Sequence, residues 1–137
     1  MAIHLDQPVA SRESGPWWRV VTIVLVAAIF MQAVFAGAML SGFDWARAAH
    51  AANGGLVVVA TAAAALGAFV TLRRVPNGWR FALVLLGLAV AVFAQFALGR
   101  MAAKGENLMW VHVPLGVMLV GLAGQAVAGA RKLGGER

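Results

Sequence analysis

Residues 48–72 read AAHAANGGLVVVATAAAALGAFVTL, from Ala48 to Leu72, without one Asp, Glu, Lys or Arg. A helix needs about 20 apolar residues to cross the hydrocarbon core of a bilayer, and this stretch has them. Three further stretches, 20–43, 81–99 and 107–130, are equally free of charge. Inside lipid the backbone must satisfy its own polar groups, so each stretch reads as a helix. The sequence predicts spans over residues 18–41, 46–72, 79–100 and 108–130. Short connections make them an all-α, integral membrane, up-and-down four-helix bundle over 17–133. A polar cytoplasmic tail is expected at 1–16 and a short tail at 134–137.

Composition agrees. The chain has 137 residues, 62% hydrophobic and 12% charged, with a mean hydropathy of +0.84. A soluble domain is about a quarter charged, so the apolar excess has to face lipid. The absence of cysteine excludes disulfides, zinc–thiolate sites, iron–sulfur clusters and c-type haem attachment. The net charge of +6 is spread between apolar runs and forms no stripe for nucleic acid. The N-terminal tail carries Asp6, Arg12 and Glu13 and is a poor start for a cleaved signal peptide, so the first helix is expected to be retained. His4, in that tail, is expected to have no role.

Trp17, Trp18, Trp45, Trp79 and Trp110 all stand near the starts of spans. That is the placement expected of an interfacial aromatic belt. Eight of the 11 Lys and Arg residues lie on the side of the two tails and the central loop; Arg47, Arg100 and Lys104 make up the rest. The positive-inside rule then predicts a plasma-membrane protein with both termini in the cytoplasm.

Two histidines stand inside these spans, His50 and His112. Each has a glycine four residues later, Gly54 and Gly116, on the same helix face. Each imidazole is therefore expected to project over bare backbone, as a flat cofactor requires. Both histidines start helices that run in the same direction, at about 8 Å or less from a tryptophan marker. A repeat supports the pairing. Gln32 precedes His50 as Gln95 precedes His112, at an offset of 62 or 63 residues. Each half is a helix pair, and a two-fold bundle gives one ligand per half. Zinc or copper usually takes further protein ligands, whereas a porphyrin fills four positions and leaves two. The count favours one haem b, with His50 and His112 as axial ligands of its iron. Arg47, Arg100 and Lys104 are placed to pair with propionates, and Asn53 or a backbone carbonyl to orient an imidazole.

Neutral histidine also serves as interhelical glue in membranes, which is the competing reading for both positions. Gln32 and Gln95 fit an interhelical hydrogen bond better than cofactor contact. Gly121 and Gly124 read as helix packing, and Met31, Met39, Met109 and Met118 as core filler. Pro114 falls in the first turns of span four, where proline is tolerated. All five acids, Asp6, Glu13, Asp44, Glu106 and Glu136, fall outside the spans. No carboxylate relay crosses the membrane, no nucleophile–base pair appears, and there is no phosphate-binding loop.

The paired Gln–His units, Gln32 with His50 and Gln95-Phe96-Ala97-Leu98-Gly99 with His112, resemble one four-helix half of haem A synthase over about residues 30 to 120. The resemblance implies haem ligation by His50 and His112. This sequence has Arg47 where the family's catalytic half carries an acid, lacks the outer-loop cysteine pair, and contains one half only. It therefore resembles the cofactor-holding half rather than the haem-hydroxylating enzyme.

The resulting expectation is a b-type cytochrome with one bis-histidine haem near the outer leaflet, an electron carrier rather than a stand-alone enzyme. Its partners would be the bilayer, a quinone or a redox subunit, and in some assemblies a second copy. The alternatives are a cofactor-free accessory subunit of a larger membrane complex and a quinone-linked oxidoreductase.

Overall fold

The computed structural model describes residues 10–133; the first nine residues of the expected tail at 1–16, His4 among them, and the expected tail at 134–137 lie outside the described residues. Four helices follow in order: α1 Ala10–Leu40, α2 Asp44–Leu72, α3 Gly78–Ala102 and α4 Met109–Leu133. All four are long and apolar enough to cross a membrane, and the chain is a multi-pass membrane protein. The helices form a closed ring in which α1 packs on α2 and α4, and α3 on α2 and α4. The diagonal pairs, α1 with α3 and α2 with α4, make no direct backbone approach. Helix α1 begins at Ala10, inside the segment that composition assigned to the tail. Once a span is helical, each added residue gains a hydrogen bond for one residue fixed, so the helix continues outward.

One end of the bundle carries the α1–α2 and α3–α4 turns, and these turns are built alike. The Phe43 N–H donates to the Ala38 carbonyl (3.1 Å) and the Gly42 N–H to Met39 (3.1 Å), with Gly42 at φ 85°. The Glu106 N–H donates to Met101 (3.3 Å) and the Gly105 N–H to Ala102 (3.1 Å), with Gly105 at φ 99°. Each is a Schellman cap, which satisfies the last carbonyls of a helix through a left-handed residue. Gly42 and Gly105 are 63 positions apart, the same offset as Gln32 and Gln95. The repeat thus includes the turns.

The other end, with the termini and the α2–α3 turn, is where the chain packs closely. Its buried positions recur three and four residues apart: Trp18, Leu25 and Ile29 on α1; Val57, Ala64, Ala65, Ala68 and Leu72 on α2; Phe81, Leu85, Leu88 and Val92 on α3; Leu119, Ala123, Ala126, Ala130 and Leu133 on α4. That is the heptad seam of a bundle. The alanines let backbones come close, and close packing holds helices together where lipid is as apolar as leucine. Thr22 and Thr61, fully buried, donate back to the Trp18 and Val57 carbonyls one turn earlier.

Several expectations are corrected here. Trp18 is not part of an interfacial belt: it is buried and meets Phe81 edge-on at 5.5 Å, while Trp17, Trp45, Trp79 and Trp110 are exposed. Met31, Met109 and Met118 are exposed rather than core filler. Gly121 and Gly124 face open space and pack against nothing. In a membrane span both faces are apolar, so composition does not distinguish the inward side from the lipid side.

Candidate cofactor site

The buried seam stops at Ile29, Val57, Val92 and Leu119. Beyond it, towards the capped turns, inward positions are only half-buried: Gln32 and Phe35 on α1, His50 and Asn53 on α2, Gln95 and Phe96 on α3, His112 and Gly116 on α4. Ala46 and Gly54 are the buried exceptions on α2. The polar residues singled out by sequence therefore gather at one end of the bundle, where helices are least tightly packed.

His50 and His112 come from the diagonal helices α2 and α4, and their rings face each other across the bundle axis. The ring centroids are 6.5 Å apart, with the planes at 71°. Each ring is held by the helix before its own. Nδ1 of His50 lies 3.2 Å from the Gln32 carbonyl oxygen, and Nδ1 of His112 lies 3.1 Å from that of Gln95. A carbonyl oxygen only accepts, so Nδ1 carries a proton in both rings; in a neutral imidazole that leaves the lone pair on Nε2. Such a bond to the remote nitrogen fixes tautomer and ring orientation in metal-ligating histidines.

The glutamine side chains behave differently from their carbonyls. The Gln95 amide donates to the His112 carbonyl (2.9 Å) and lies 3.4 Å from His112 Nε2, a long contact. This is the interhelical bond expected of it. The Gln32 amide lies over Gly54, where an added Cβ would stand 2.7 Å from its nitrogen; over Gly116 the same measure to Gln95 is 3.0 Å. The bare backbone beside each histidine thus receives a glutamine from the neighbouring helix rather than standing open. Oε1 of Gln32 and of Gln95 are both buried without a hydrogen-bond partner among the described residues. Gly99 gives His112 its room, since a Cβ there would come within 2.8 Å of the ring. Sequence reading passed over Gly99, although its place four residues after Gln95 puts it on the same face.

Asn53 does not reach an imidazole. Its amide donates to the Ala28 carbonyl (2.9 Å) and ties α2 to α1, so the backbone carbonyls are what orient the rings. Arg47, Arg100 and Lys104 are exposed at this same end. Among the described residues no group of three or more His, Asp and Glu side chains comes together.

The two imidazoles are spaced as two ligands of one metal would be. A metal–imidazole bond is about 2 Å and the ring centroid lies about 1 Å behind the nitrogen, so two imidazoles on one metal stand about 6 Å apart. The observed 6.5 Å meets that spacing. The donor set is two imidazoles, their Nδ1 atoms are already engaged, and the surrounding inward positions are half-buried. Comparison with protein-family models, with curated proteins and with solved structures finds no match for this chain.

Proposed function

We propose that this chain is a b-type cytochrome of the plasma membrane that holds one haem b between His50 and His112. The observation that carries the reading is the matched pair of imidazoles, each anchored through Nδ1 to a glutamine carbonyl and 6.5 Å from the other. The resemblance of the Gln–His units to half of haem A synthase supports the same ligand pair. Bound haem would supply one-electron transfer. The protein's own residues fix the two rings, and the helix ends offer Arg47, Arg100 and Lys104 to anionic edges of a ligand. With the positive-inside orientation, the site lies towards the outer leaflet and both termini in the cytoplasm. A single site near one face of a core about 30 Å thick calls for an electron partner there, a quinone or a redox subunit.

Purified protein expressed with haem supply should show a reduced-minus-oxidised haem b spectrum at about one haem per chain. His50→Ala and His112→Ala should each abolish it while the helical circular dichroism persists. A colourless wild type, or variants with an unchanged spectrum, would refute the assignment. The second reading, a cofactor-free accessory subunit, has the 2.9 Å Gln95–His112 carbonyl bond in its favour, since such bonds hold helices together by themselves. It expects a colourless protein whose assembly tolerates the double alanine variant.

A further inference from the structure

At the end of the bundle opposite the histidines, a groove of about 420 Å³ opens between the start of α3 and the last turns of α4. Asn77, Arg80 and Val84 line one wall, and Gln125, Ala128 and Lys132 the other. We propose that this groove binds one anionic phospholipid of the surrounding bilayer, its phosphate between Arg80 and Lys132 and an acyl chain along Val84 and Ala128.

Charge selects the headgroup. Arg19, Arg73, Arg74, Arg80, Arg131 and Lys132 gather at this end, whereas Asp44 and Glu106, the acids among the described side chains, belong to the opposite end. Among the described side chains, the two cations of the groove therefore face no carboxylate. Asn77, in the left-handed conformation at φ 59°, makes no side-chain cap to α3, and its amide stays available at the groove mouth. The first N–H groups of a helix and its dipole add to an anion's welcome.

Depth distinguishes a lipid from a free anion. Gln125 lies seven residues before Lys132, about 10 Å further along α4. It is exposed, within an apolar span, and takes part in none of the described side-chain hydrogen bonds. A polar side chain turned to lipid at that depth is costly unless something meets it. The interfacial zone is about 5–8 Å thick on each side of the hydrocarbon core, so the ester groups of a lipid whose phosphate sits at Lys132 lie within a few ångströms of the level of Gln125, within the reach of its side chain. A phosphate ion would use the mouth and leave Gln125 alone. Exposed Trp79, beside Arg80 and under its guanidinium at 5.5 Å, stands at the same interfacial level.

Native mass spectrometry of the full chain, with phosphatidylglycerol or phosphatidylcholine added in detergent, tests this. Two cations near the surface should favour the anionic lipid by about thirtyfold. R80Q/K132Q should lose that preference, Q125L should weaken retention of the lipid, and R80K/K132R should keep it. R73Q/R74Q, whose positions do not line the groove, should also keep it. Equal retention of the two lipids, or an undiminished preference in R80Q/K132Q, would overturn the proposal. So would inorganic phosphate competing for the site as strongly as the lipid, since the occupant would then be a free anion.

Discussion

Gly54 is the residue whose side chain matters by its absence. A Cβ there would meet the Gln32 amide at 2.7 Å and Phe96 at 3.2 Å. Gly54→Ala should destabilise the bundle by about 1–3 kcal/mol, the usual cost of overpacking, measured by unfolding in mixed detergent. Shortening the neighbour in Gln32→Ala/Gly54→Ala should restore much of the loss, because the two positions share one contact. Strictly additive losses would show that the contact is not what excludes the methyl. The histidine–glycine–glutamine spacing was legible in the sequence. Which group would use the room was not, because the glutamine arrives from another helix. The carbonyls that hold His50 and His112 were equally invisible, since every residue has one and only the fold selects Gln32 and Gln95.

Among the elements, the helices were readable from uninterrupted apolar length, while their inward faces were not. Trp18, buried against Phe81, and the exposed Met109 and Met118 were misassigned for the same reason: contrast between faces vanishes when both are apolar. The caps were missed although their glycines stand in the sequence. Gly42 and Gly105 both take positive φ, so alanine is strained at either place. Gly42→Ala and Gly105→Ala should each cost about 1 kcal/mol, by similar amounts in the same unfolding assay. Gly78→Ala should cost more, because its Cβ would run into the Leu72 backbone carbonyl, which cannot move aside as a side chain can. A large difference between the first two would break the equivalence of the halves.

For the molecule as a whole, length and charge were enough to predict four antiparallel spans, and the ring of α1, α2, α3 and α4 bears this out. Orientation can be read directly because the chain has no cysteine to interfere. Lys104→Cys should react with a membrane-impermeant maleimide in intact cells, and Arg74→Cys only after permeabilisation. The reverse pattern would place the histidine end in the cytoplasm. What charge and length did not foretell is that the bundle is unevenly packed along its axis, tight from Trp18 and Leu133 to Ile29 and Leu119 and looser beyond.

That unevenness sets an order of assembly. The seam of leucines and alanines asks for nothing but neighbouring helices, so it can zip as soon as the four spans lie side by side in the bilayer. The histidine end is held instead by two imidazole–carbonyl bonds, the Gln95–His112 bond, Asn53 and the capped turns. On the proposed reading, a porphyrin is therefore admitted late, into a bundle already clamped at its far end, and its loss leaves a scaffold ready to be refilled.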